Sequence, residues 1–112
     1  MKCVEKYGMP VVHNLIGRTG NPVVNQFVIM MPDGLMFQSY DSRICYYDID
    51  ENMIYVGADW DRSATTRNYL IQFMRLYCHR WYAKVMSRGK RSFRANLQQC
   101  IVDGVVKYVE HW

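Results

Sequence analysis

Short runs of β-branched and aromatic residues alternate with turn residues through the first half of the chain. The run at 23–31, VVNQFVIMM, is typical of a core strand. Pro32-Asp33-Gly34 is turn chemistry, because proline fixes its own φ and glycine accepts a positive φ. The run at 35–40 is therefore predicted to return as the hairpin partner, and further strands are predicted at 43–47 and 53–57. The pattern predicts an antiparallel β-meander.

Helical spacing replaces the strand pattern after Trp60. Ser63 or Thr65 can cap a helix, and apolar residues recur at three- and four-residue steps between Leu70 and Val85. Gly89 is typical of a helix end. The spacing predicts one continuous amphipathic helix with a basic outer face.

A second helix is predicted from its N-cap, Ser92, through the apolar positions Phe93 to Ile101, and it stops before Gly104. The tail at 105–112 alternates and is predicted as a closing strand. The fold class is therefore α+β: an antiparallel β-meander followed by two helices packed on one face and a short C-terminal strand. With 112 residues and 50% apolar types, residues 1–112 are expected to form a single domain with its own core.

The two halves of the chain carry opposite charge. Residues 1–61 hold four basic and eight acidic side chains, a net charge of −4, whereas residues 62–112 hold ten basic and two acidic ones, a net charge of +8. Such asymmetry indicates an anionic partner for the second half, either a nucleic acid or an acidic protein surface. The alternative is that the two halves neutralise each other.

Six basic residues around the predicted interhelical turn form the candidate binding site. Cations attract phosphate, the free N–H groups of the second helix add donors, and Tyr82 or Phe93 could stack on a base. The alternative is a solvated turn whose aromatic residues face the core. The six candidate residues are Arg80, Lys84, Arg88, Lys90, Arg91 and Arg94.

Catalytic, metal and cofactor chemistry has no comparable support. The four cysteines are far apart with no C-x-x-C pair, so they are predicted to be buried free thiols. An enzyme would need an unexpected pocket built on Asp59 and Asp61 or on Cys78 and His79. The presence of Asp61 is already explained by the favourable effect of negative charge at a helix N-terminus. We therefore expect no enzymatic activity, no catalytic residue, no metal and no cofactor.

The chain has no apolar run long enough to span a membrane, and Glu5 and Lys6 stand where a signal peptide would be apolar. We expect no membrane partner and a cytoplasmic location.

Three blocks of sequence resemble a family of small uncharacterised proteins encoded by bacteriophages and prophages. The first two blocks are VVNQFVI and FQSYDSRI, the second of which matches the family's F-x-S-Y-x-S-x-I. The third is the segment from Trp60 to Phe73, with S-x-T-T after its tryptophan. Together the blocks span about residues 23 to 73. The matching positions are Phe27, Phe37, Ser39, Tyr40, Ser42, Ile44, Trp60, Ser63, Thr65, Thr66, Tyr69 and Phe73. The resemblance implies a phage accessory protein in the host cytoplasm and brings no catalytic residues.

The leading functional hypothesis is a non-enzymatic inhibitor of the anti-CRISPR or anti-defence type. It would bind a host or defence protein or ribonucleoprotein through the basic helical face. One alternative is direct binding of RNA or DNA. Another is a structural phage protein whose exposed aromatic residues build an oligomer such as a homodimer.

Overall fold

A computed structural model describes residues 11–112 of the chain. Two expectations concern residues outside this range. Cys3 belongs to the predicted buried thiols, and Glu5 and Lys6 belong to the signal-peptide argument. Six strands form one sheet in chain order, with β1 to β5 antiparallel and β6 parallel to β5. The strands are β1 Val11–Ile16, β2 Pro22–Met31, β3 Gly34–Ser39, β4 Ser42–Asp48, β5 Met53–Gly57 and β6 Lys107–Val109.

The helices follow the meander in the chain and pack on one face of the sheet, so the predicted α+β class is confirmed. A short 3₁₀ helix precedes three α-helices. Ser63 is the N-cap of the first α-helix and accepts a hydrogen bond from the Thr66 N–H, and Ser92 caps the last one in the same way. The elements are the 3₁₀ helix Ala58–Asp61, α1 Ala64–Tyr77, α2 His79–Met86 and α3 Phe93–Val102.

The core lies between the sheet and the helices. Val28, Phe37, Cys45 and Val56 are aligned across the four central strands, and all four are fully buried. Phe37 stacks on Phe73 of α1 with ring centroids 5.6 Å apart. This contact joins the middle of the sheet to the middle of the first helix.

The turn between β2 and β3 forms where the sequence predicts it, but Gly34 is required for a different reason. Its φ is not positive. A Cβ atom at this position would lie 2.6 Å from the Tyr46 hydroxyl oxygen. That hydroxyl donates to Asp33 Oδ1 at 2.7 Å, so the glycine makes room for the tyrosine that closes the turn.

The sequence pattern did not predict β1. Only Leu15 of this strand is buried, and the polar pair His13 and Asn14 interrupts its apolar run. Asn14 Nδ2 donates to the Val23 carbonyl at 2.7 Å, beside the irregular register between β1 and β2. The strand is an edge strand, which tolerates polar positions that a central strand would not.

The prediction of one continuous helix from about residue 65 to residue 88 is wrong. Cys78 has φ −145° and ψ 54°, outside the helical region, and it separates α1 from α2. The interruption allows Trp81 to turn towards the β4–β5 turn, where its Nε1–H donates to Asn52 Oδ1 at 3.1 Å. A buried indole N–H needs an acceptor, and this contact supplies it.

The end of the chain also differs from the prediction. The closing strand covers only Lys107–Val109 rather than residues 105–112. Trp112 lies beyond it and donates from Nε1 to the Arg43 carbonyl at 3.1 Å. No helix within residues 11–112 is long and apolar enough to cross a membrane.

The Phe37–Phe73 contact gives a direct test of this core. Replacing Phe73 with alanine removes a fully buried ring, and we expect the free energy of unfolding to fall by about 3–5 kcal/mol. Leu76 on the same helix is 48% exposed, so Leu76→Ala should cost less than about 0.5 kcal/mol. Urea denaturation of both variants measures the difference, and similar losses would contradict this placement of the core.

Candidate anion-binding site

The six predicted site residues are all exposed, but they do not form one continuous cationic face. Two of them are neutralised by carboxylates of the same chain. Arg88 forms an ion pair with Asp103. Arg94 Nε donates to both carboxylate oxygens of Asp61, at 3.0 and 2.8 Å. These two arginines therefore present less free charge than the sequence indicates.

Asp61 also accepts from Arg67 Nη1 at 2.7 Å, so one carboxylate holds two arginines. It thus joins the 3₁₀ helix to both α1 and α3. The ion pairs are a further role for this residue beside the predicted one at the helix N-terminus. Its neighbour Asp59 forms a longer, exposed pair with Arg62 at 4.0 Å.

Lys90 and Arg91 lie in the turn between α2 and α3, and neither forms an ion pair within residues 11–112. The turn is supported from below by Asn96, which is fully buried. Asn96 Nδ2 donates to the carbonyls of Gly89 and Arg91, each at 3.4 Å. Sequence reasoning missed Asn96, although a polar residue next to Leu97 in a buried stripe was a usable signal.

Arg80 and Lys84 lie one helical turn apart on α2, beside a cavity of about 350 Å³. The cavity is located where α1 gives way to α2, and its second wall comes from the β4–β5 turn. His79 joins these two residues, so three side chains that carry or can accept positive charge line the cavity. We call His79, Arg80 and Lys84 the cationic rim.

The cationic rim has no acidic counterpart inside the cavity. No aspartate or glutamate is among its lining residues, and no rim residue forms an ion pair within the described part of the chain. In the neighbouring turn, Asp48 Oδ1 accepts from the Glu51 N–H and Glu51 Oε1 accepts from the Tyr55 hydroxyl. The hydrogen bond to Glu51 raises the pKa of Tyr55. Both hydrogen bonds lie within that turn and the strand after it, and the exposed Asp50 belongs to the same turn.

The inner wall of the cavity is aromatic. Tyr47 and Tyr77 are half-buried, and Trp81 is 6% exposed. The Lys84 ammonium lies 4.6 Å from the centroid of the Trp81 ring, a cation–π contact. We call Tyr47, Tyr77 and Trp81 the aromatic wall. Sequence spacing could not assign these residues to a common site.

Asn52 connects the aromatic wall to the opposite turn. Its Oδ1 accepts from Trp81 Nε1 at 3.1 Å and from the Tyr47 hydroxyl at 3.4 Å. Because an indole N–H can only donate, the atom facing Trp81 must be the amide oxygen. The NH₂ group of Asn52 is then the part of the side chain that can donate to a ligand.

Cys78 lines the same cavity, but its chemistry is that of a buried thiol. Burial raises the pKa of Cys78 to about 12, so the thiol is protonated at neutral pH. Burial also raises the pKa of Cys45, and the nearby Cys78 adds to that effect. Cys45, Cys78 and Cys100 are all free and buried, as expected. A protonated thiol is a poor nucleophile.

No group of three His, Cys, Asp or Glu side chains within residues 11–112 is arranged to hold a metal ion.

The raised pKa of Cys78 predicts how stability depends on pH. The thiol ionises near pH 9 when unfolded and near pH 12 when folded, so its contribution is complete below pH 9 and is lost as pH rises towards 12. We expect the free energy of unfolding to decline less steeply above pH 9 in Cys78→Ala than in the wild type. Urea denaturation at several pH values measures the two slopes. Equal slopes would show that Cys78 is not protected in the folded chain.

The shared carboxylate of Asp61 gives a second test. Asp61→Asn weakens the charge-assisted hydrogen bonds from two arginines, and we expect it to lower the free energy of unfolding by about 1 kcal/mol. Asp59→Asn is the matched control, because its single exposed pair should contribute less than about 0.5 kcal/mol. A double-mutant cycle with Arg94→Ala should show coupling at Asp61 only, and equal effects at the two aspartates would contradict the ion-pair network.

Comparison of the chain with family models, with curated proteins and with solved structures finds no match.

Proposed function

We propose that this protein is a non-catalytic binding protein that places its cationic rim against an anionic surface of a host or defence nucleoprotein. The observation that carries the proposal is the cavity itself: three rim residues without ion pairs in the described chain stand over an aromatic wall. Arg67, Arg88 and Arg94 each form an ion pair with Asp61 or Asp103. The rim therefore offers positive charge that the described chain leaves free for a partner.

The α2–α3 turn extends this surface. Lys90 and Arg91 are exposed, and buried Asn96 holds the backbone that carries Arg91. Charges on an ordered turn lose less conformational entropy on binding than charges on a loose one. This surface supports the hypothesis of a phage inhibitor of the anti-CRISPR or anti-defence type, which would act by covering an anionic site in the host cytoplasm.

Direct binding of single-stranded RNA or DNA is the second candidate. The aromatic wall favours it, because unpaired bases stack on aromatic side chains while cations track the phosphates. The two candidates share the same cationic rim and differ in whether a protein partner remains when nucleic acid is removed.

Charge reversal at the rim tests the proposal. Tagged wild type and the variant Arg80→Glu/Lys84→Glu are each used to capture partners from host lysate, with and without nuclease. We expect the wild type to retain a protein partner after nuclease treatment. The variant should capture at least about tenfold less of this partner, because opposite charges at the interface are replaced by like charges.

The matched control is Arg18→Glu/Arg43→Glu, which changes the net charge equally. Both residues are exposed and lie at the end of the sheet opposite the β4–β5 turn, so this variant should capture as much partner as the wild type. Undiminished capture by the rim variant would overturn the proposal. Recovery of nucleic acid alone, lost on nuclease treatment and reduced by added salt, would replace it with the second candidate.

A further inference from the structure

We propose that the cavity between α1 and α2 accommodates one unpaired nucleotide, with its phosphate on the cationic rim and its base against the aromatic wall. The inference rests on the proposed function, since it assumes that the rim binds an anionic partner. It adds the chemical class of the group that the rim recognises.

The size of the cavity limits the ligand to a single unit. A volume of about 350 Å³ is at the small end of the range for pockets that hold small molecules. Paired bases remain stacked inside a duplex and cannot enter a pocket of this kind without being extruded. An unpaired nucleotide presents both a free planar base and an accessible phosphate.

The distribution of charge sets the orientation of that nucleotide. His79, Arg80 and Lys84 are exposed at the mouth, whereas Trp81 and Cys78 are buried and uncharged at the inner wall. The raised pKa of Cys78 keeps the wall neutral. An anionic phosphate is therefore favoured at the mouth, and an uncharged base is favoured inside.

Asn52 supplies a polar contact to the base. Its amide oxygen is already engaged by Trp81 and Tyr47, so its NH₂ group is the part available for hydrogen bonding. A ring nitrogen or carbonyl oxygen on the base can accept this bond. The site thus combines three components of nucleotide recognition: positive charge, aromatic surface and a side-chain amide donor.

Trp81 provides the signal that reports binding. The Lys84 ammonium lies 4.6 Å from its ring centroid, and a bound phosphate competes with the ring for that ammonium. Movement of Lys84 changes the environment of the indole and hence its emission. Trp60 and Trp112 do not line this cavity.

The experiment is a fluorescence titration of the full chain with adenosine 5′-monophosphate, adenosine and inorganic phosphate in parallel. We expect a saturable change in tryptophan emission with the nucleotide, at concentrations at least about tenfold lower than for adenosine or phosphate alone. Trp81→Phe should abolish the signal and Trp112→Phe should retain it. Circular dichroism verifies that each variant is folded.

Charge and donor variants then locate the ligand. Arg80→Glu/Lys84→Glu should eliminate nucleotide binding, Arg18→Glu/Arg43→Glu should leave it unchanged, and Asn52→Ala should weaken it severalfold. No saturable response to the nucleotide, or equal affinity for the nucleotide and inorganic phosphate, would overturn the inference. A response that persists in Trp81→Phe would also overturn it, because the ligand would then be bound elsewhere.

A single-stranded oligoadenylate identifies the source of the nucleotide. Binding at least about tenfold tighter than the free nucleotide supports a nucleic-acid strand as the ligand, and equal binding supports a free nucleotide.

Failure of this inference is distinguishable from failure of the proposed function. Rim-dependent capture of a protein without nucleotide binding overturns only the inference, whereas nucleotide binding with rim-independent capture overturns only the proposed function.

Discussion

The hydrogen bond from Trp81 to Asn52 is the interaction on which the functional end of the molecule depends. An indole N–H that is withdrawn from water must find an acceptor, and the β4–β5 turn provides one at 3.1 Å. Trp81 reaches this acceptor because α2 is a separate helix. It begins after Cys78, once α1 has ended. The cavity lies at that interruption, between the end of α1, the start of α2 and the β4–β5 turn.

The internal ion pairs determine which positive charges remain for a partner. Asp61 and Asp103 engage three arginines that the linear sequence presents as equivalent to their neighbours. Four of the remaining exposed cations in the described chain lie on α2 and the turn that follows it: Arg80, Lys84, Lys90 and Arg91. The acidic first half therefore neutralises the basic second half only in part, and it does so at specific positions. The interpretation that the two halves neutralise each other holds for these paired side chains, and an anionic partner for the other cations stays a prediction.

The meander was predictable from the sequence because its signals are local. Turn residues such as Pro32 and the alternation in MIYVG act over a few positions, and so do the N-caps Ser63 and Ser92. The helix break was not predictable, since the spacing from Leu70 to Val85 is equally compatible with one helix. Asn52, which accepts the hydrogen bond from Trp81 beyond the break, lies 29 residues from it in the chain.

The residues of the candidate site were likewise predictable from the sequence only where their signals are local. Arg80 and Lys84 could be identified as exposed cations from helical spacing, and the structure places both beside the cavity. Arg94 could not be separated from them, because its partner Asp61 lies 33 residues away. Tyr47 and Asn52 belong to the half of the chain that sequence reasoning treated as scaffold, since only the folded sheet brings them to α2.

The contrast between a neutral wall and a charged mouth would give the proposed ligand a defined orientation at this site. Burial keeps Cys78 protonated, so no ionised group competes with an apolar or aromatic ligand at the wall. The Lys84 ammonium is held over Trp81 rather than by a carboxylate, and a cation–π contact at a partly exposed site is weak. Lys84 can therefore leave the ring for a phosphate at little energetic cost. A lysine held in an ion pair would first have to break that ion pair. The absence of an acidic partner for the rim within residues 11–112 is thus what makes these cations usable in recognition.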